Sequence, residues 1–183
     1  GTVDPGKEAQ RIKEAVLAIE KTWALTQEPI VLLDFNGHPV LGDQHIHRAI
    51  LSKLAGHIPV SHIEYDPNPF RVLQRIAGFK ATVSMRLHAA ILSFMANTPA
   101  LSINYHQKCW SWCSQVGVAD QYQFEASDFC PITLAQTVNR GLGTGFALPT
   151  MQTQEAVMAT LKNWRQSDEH NAVYSRDTAL QQS

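Results

Sequence analysis

Pro29 to Phe35 reads P-I-V-L-L-D-F. A short run that is apolar at consecutive rather than alternate positions fits a strand covered on both faces, as in a parallel sheet. Parallel neighbours need long crossover connections, usually helices. The chain supplies them. Asp4 and Pro5 read as the cap and first residue of an opening helix with Ile12, Val16, Ile19 and Trp23 on one stripe. After the Pro29 strand and its loop Asn36-Gly37-His38-Pro39, Asp43 to Leu54 reads as a helix with Ile46, Ile50 and Leu54 inward and Gly56 as its stop. Ile58 to Ile63 is then the next strand. Asn68 and Pro69 start a helix whose buried face is Val72, Leu73 and Ile76 and which Gly78 closes.

The segment Lys80 to Lys108 makes one more β-α-β unit: a buried strand ending at Val83, a helix from Leu87 to Met95, and a strand from Pro99 to Ile103. A helix from Gln107 to Val116 follows and stops at Gly117. A short strand is expected near Tyr122 to Phe124, a helix begins at Pro131, and the last helix runs from Gln154 to Trp164. The alternation predicts an α/β fold, a Rossmann-like, doubly wound parallel sheet with right-handed crossovers. In such a sheet, ligands bind beyond the carboxyl ends of the strands. Loops 36–42, 64–68, 84–88 and 104–108 share that rim. The length of 183 residues, with 44% hydrophobic and 17% charged, fits one domain over residues 1–166, followed by a polar tail over 167–183.

Arg86 and His88 stand where a strand turns into a helix, and a cation there opposes the helix dipole unless an anion binds nearby. Arginine presents a planar fork for carboxylate or phosphate, and histidine can give or take a proton near neutral pH. The plainer alternatives are an Arg86 that pairs with a neighbouring acidic residue and ties the loop down, and a His88 that caps a backbone carbonyl. The two positions are two apart, so both reach one ligand only if Arg86 precedes the helix proper.

Ser84-Met85-Arg86-Leu87-His88-Ala89-Ala90, followed by Pro99 and by Tyr105-His106-Gln107-Lys108, resembles the polysaccharide pyruvyl transferases. The resemblance is sharp over about thirty residues, and R-L-H is its most diagnostic part. It implies transfer of a pyruvyl group from phosphoenolpyruvate to a sugar of a cell-surface or exopolysaccharide precursor, as a ketal. It places Arg86 and His88 at the phosphate and carboxylate of the donor, with Leu87 between them at the substrate. His88 is the candidate acid and the general base is unassigned. Phosphoenolpyruvate enters as donor substrate, and neither a cofactor nor a metal is implied. Tyr105, His106, Lys108 and the loop residue His38 are further candidates on the rim; Lys108 either binds an anion or is simply solvated.

Enzymes of this family have two Rossmann-like halves similar to the GT-B glycosyltransferases, with R-L-H in the C-terminal half. This chain therefore resembles that half, and an N-terminal domain bearing much of the acceptor pocket, with a strand ahead of the first helix, is expected elsewhere. Turnover by this chain alone is not expected. Two other readings stand beside it: a nucleotide-sugar-binding half of a GT-B glycosyltransferase, and a non-catalytic module whose cleft face has become a homo-oligomer or partner surface.

Other patterns carry less. His106, Cys109 and Cys113 share one helix face, which would suit a metal, but no fourth ligand is evident and such cysteines are mostly packing. His45 and His47 invite a metal reading too, but alternate residues on a helix diverge, so the pair reads as solvated or packing residues. Gly141-Leu142-Gly143-Thr144-Gly145 follows a helix and lacks the lysine of a phosphate loop, so it reads as a helix stop and turn. Trp110, Trp112 and Trp164 fit packing better than sugar stacking. A net charge of -1 offers no basic footprint for nucleic acid, and no run is long and apolar enough to span a membrane. Three cysteines without a disulfide framework suggest a reducing cytoplasm.

Overall fold

The computed structural model describes residues 5–156, with six α-helices, five strands and a 3-10 turn at Asp120–Tyr122. The helix expected from Gln154 to Trp164 and the polar tail lie almost wholly outside the described residues. Helix α1 (Pro5–Thr26) starts at the proline, and of its stripe Ile12 is buried while Val16, Ile19 and Trp23 are partly covered. Strand β1 (Ile30–Leu33) pairs in parallel with β2 (Val60–Ile63), with Leu32 opposite His62. Helix α2 (Gln44–Leu51) joins them and is shorter than the apolar spacing suggested, ending before Leu54. Helix α3 (Pro69–Ile76) matches its signals closely: Asn68 Oδ1 accepts from the N–H groups of Phe70 at 3.0 Å and Arg71 at 3.3 Å, and Val72 and Ile76 are buried.

The second half carries β3 (Thr82–Ser84), α4 (Leu87–Met95), β4 (Ala100–Asn104), α5 (Gln107–Val116), β5 (Gln123–Glu125) and α6 (Pro131–Thr144). β4 is central, paired in parallel with β3 and β5. Its side chains alternate between two helical layers. Ile103 packs with Ala18 of α1 and Leu134 of α6, whereas Ser102 and Asn104 lie against the Cys113 thiol of α5. Leu101, Phe94, Cys113, Val116, Val118, Tyr122 and Val138 make the larger core cluster. Cys109 and Cys113 are buried, and all three cysteines are unpaired. Trp112 packs on the cluster edge to face with Phe94.

The parallel α/β architecture is as expected; the continuity of the sheet is not. The strands form two parallel sheets, β1-β2 and β3-β4-β5, without a backbone ladder between β1 and β3. Side chains tie the seam instead. Ahead of the strands, Lys80 Nζ meets Glu28 Oε1 at 2.6 Å, and beyond them Arg86 meets Asp43. Strands beside a seam are less covered than central ones. That is why all four residues of β1 are only half-buried and Val83, expected inside, is 46% exposed.

The glycine-rich stretch also differs from its reading, since Gly141 to Thr144 continue α6 and only Gly145 caps it. Gly141 is buried, and a Cβ there would lie 2.2 Å from Phe146 Cε1. The helix passes so close to this ring that only glycine fits. Gly117 ends α5 in the left-handed region, with φ 74°, as a helix stop requires.

Candidate functional site

Arg86 is the residue before α4 and has extended backbone angles, φ -103° and ψ 132°. The helix proper therefore begins at Leu87, and the condition for Arg86 and His88 to serve one ligand is met. Among the described residues no side chain caps the first N–H groups of α4, so this helix start keeps its partial positive charge open to an anion.

The anion beside Arg86 in the structure is Asp43. Arg86 Nε donates to Asp43 Oδ1 at 3.1 Å and Oδ2 at 3.2 Å, and Nη2 also donates to Oδ1. Asp43 Oδ2 accepts from the N–H groups of Phe35 at 2.8 Å and Asn36 at 2.9 Å. Burial alone would raise the Asp43 carboxyl; the Arg86 hydrogen bond, the two backbone donors and the guanidinium charge outweigh it and hold the group below the usual carboxylate value. Asp43 thus locks the loop after β1 and fixes the plane of the Arg86 fork. One edge of that fork stays free: Nη1 makes no hydrogen bond with the described residues, and the side chain is 42% exposed.

His88, in the first turn of α4, is exposed and makes no hydrogen bond or ion pair with the described residues. It caps no carbonyl. Across the rim, Tyr105, His106 and Lys108 follow β4 and are all exposed. His106 is the cap of α5, its Nδ1 accepting from the Lys108 N–H at 3.1 Å. His38 closes its own loop, with Nδ1 accepting from the N–H groups of Val40 at 3.2 Å and Leu41 at 2.9 Å. For these two imidazoles the visible role is to shape backbone. Beneath the rim, Ser84 Oγ and Asn104 Nδ2 are buried without a hydrogen-bond partner among the described residues, at the ends of neighbouring strands.

Sequence reasoning passed over three residues. In the sequence Asp43 reads only as a helix start, although it stands one turn before His47 of α2. Asp34 and His62 were not singled out. Asp34 Oδ1 lies 2.5 Å from His47 Nδ1 and 2.8 Å from His62 Nε2. The signal was present: Asp34 is the lone acid of an apolar run, and parallel pairing sets β2 beside it. His45 and His47 do diverge as expected, His45 approaching Glu8 at 4.0 Å while His47 turns to Asp34.

These features define a parallel-stranded α/β protein that presents an arginine and a histidine at a helix start, beyond the carboxyl ends of its strands. The chain belongs to the polysaccharide pyruvyl transferase family, whose model matches residues 2–107. That span holds Asp34, Asp43, His47, His62, Arg86 and His88 and stops at the first residue of α5. Comparison with curated proteins and with solved structures found no match.

Proposed function

We propose that this chain is the donor-binding part of a transferase that moves a pyruvyl group from phosphoenolpyruvate to a sugar hydroxyl of a polysaccharide precursor. The observation that carries the reading is the R-L-H segment set at the uncapped start of α4, with the free edge of Arg86 and an unpartnered His88 on one rim. A small dianion suits this arrangement, because guanidinium and backbone N–H groups both favour it.

In this reading the free edge of Arg86 and the first N–H groups of α4 bind the donor, and Asp43 keeps the fork oriented. His88 protonates the enol methylene, a sugar hydroxyl attacks the resulting cationic carbon, phosphate leaves, and a second hydroxyl closes the cyclic ketal. A domain of Rossmann type over residues 1–166 would be one half of the enzyme, and the acceptor pocket would come mainly from the other half.

Calorimetric titration of the 183-residue chain with phosphoenolpyruvate, beside a UDP-sugar and inorganic phosphate, tests the proposal. Phosphoenolpyruvate is expected to bind best, with affinity at least about tenfold weaker in both Arg86→Ala and His88→Ala, since each removes a charge-assisted contact. His88→Ala is the sharper variant, because His88 supports nothing else. Preference for the UDP-sugar would move the assignment to a glycosyltransferase half. Phosphoenolpyruvate binding unchanged in His88→Ala would refute the role given to that residue.

A further inference from the structure

Asp34, His47 and His62 come from three elements, the end of β1, α2 and β2, and their ligand atoms lie within 4.8 Å of one another. The parts that bring them together are rigid. Asp34 N–H donates to Ile63 O at 3.0 Å, extending the β1-β2 ladder, and α2 is bolted over the strand end by the Asp43 bonds to Phe35 and Asn36. His47 sits one turn along α2 from Asp43, so the group adjoins the Arg86 pair.

Asp34 is 3% exposed, and its ion-pair partners are the two imidazoles. Among the described residues no lysine or arginine reaches it. A carboxylate buried this deeply needs a compensating cation. Both ring nitrogens converge on one oxygen, Oδ1, while Oδ2 has no hydrogen-bond partner among the described residues. The rings stand almost perpendicular, at 83° with centroids 5.4 Å apart, which aims two nitrogens at a common point from different directions. Each histidine is nearly buried, 16–17% exposed, leaving a narrow approach for an ion.

We infer that Asp34, His47 and His62 form a binding site for a first-row divalent cation, with Zn²⁺ the best fit. Two imidazoles and one carboxylate make a three-ligand set of the kind that leaves further coordination positions open. Calcium and magnesium, which prefer oxygen donors, suit it poorly. Metal-ligand bonds of about 2.0–2.2 Å in tetrahedral directions put donor atoms about 3.3–3.6 Å apart. From 2.5 Å and 2.8 Å, that is an opening of at most about 1 Å, within reach of small side-chain rotations. The metal-free arrangement is then the closed, hydrogen-bonded form of the same site. On binding, His47 Nδ1 and His62 Nε2 each present a lone pair to the ion, and any proton carried on those two nitrogens is released to solvent. The inference rests on these three side chains and is independent of the transferase reading.

The test uses the 183-residue chain stripped with EDTA, carrying Cys130→Ser to remove the exposed thiol. Calorimetry with Zn²⁺ and the visible absorption of Co²⁺ are both read. One ion per chain is expected, with a rise in Tm on adding Zn²⁺. His47→Ala and His62→Ala should each weaken binding at least tenfold, and His45→Ala, which removes the imidazole facing Glu8, should leave it unchanged. Asp34→Asn preserves the side-chain shape, so it should keep the fold while weakening the metal by a similar factor. The inference is overturned if the chain takes up no ion, or if His47→Ala, His62→Ala and Asp34→Asn bind as well as the parent.

Discussion

Removing the Asp43 carboxylate should loosen the rim and do so with a defined pH signature. Asp43 is 13% exposed and accepts from two backbone N–H groups and from Arg86. Each backbone bond to a charged acceptor is worth about 1.5 kcal/mol net, whereas the pair with a 42% exposed guanidinium adds only about 0.5–1 kcal/mol after solvent screening. Asp43→Ala is therefore expected to cost about 3.5–4 kcal/mol, and Asp43→Asn about 1–2 kcal/mol because the amide oxygen still accepts one N–H. Because the folded-state carboxyl is lowered, its contribution is fully present above the unfolded value of about 4. It is lost as pH falls through the folded value. Urea unfolding of parent and Asp43→Asn should show a constant gap between pH 7 and pH 5 that narrows below about pH 4. A gap that stays flat to pH 3 or widens on acidification, or an Asp43→Ala cost under about 1 kcal/mol, would refute the reasoning. A double-mutant cycle with Arg86→Ala isolates the ion pair, with a coupling of about 0.5–1 kcal/mol expected.

The two glycines of α6 should respond in opposite directions. Gly141→Ala pushes a methyl into the Phe146 ring and should cost about 1–3 kcal/mol, whereas Gly143→Ala, with open space around its Cβ position, should gain about 0.5–1 kcal/mol in the same unfolding assay. Equal effects at both sites would contradict the packing described. Native-state alkylation should modify Cys130 first. The nearby N–H and hydroxyl of Thr133 and the N–H of Ile132, at the start of α6, lower its exposed thiol, while burial pushes Cys113 up. Mass mapping that finds Cys113 labelled as fast as Cys130 would overturn this.

Local signals predicted local structure well where backbone chemistry decides it. Asn68-Pro69 started α3 and Gly117 ended α5, and α4 spans the predicted Leu87–Met95, because caps, proline and positive φ act within a few residues. Burial was less legible. An apolar run such as Pro29 to Phe35 announces a parallel strand but not whether a neighbour hydrogen-bonds to each edge, and here the seam left β1 half-covered and Val83 exposed. The glycines of α6 looked like a stop because propensity is weak, and packing against Phe146 outweighed it.

The site divides along the same line. Sequence by itself determined the parallel α/β class, the family and the R-L-H segment at a helix start, since these rest on periodicity, capping and a contiguous motif. The partners were a matter of tertiary structure. Asp43 lies 43 residues from Arg86, and Asp34 is 13 and 28 residues from His47 and His62. Such pairs meet only after the strands align and α2 folds across their ends. Charge pairing and ligand convergence depend on distance in space, which falls off within a few ångströms and leaves no periodic trace along the chain.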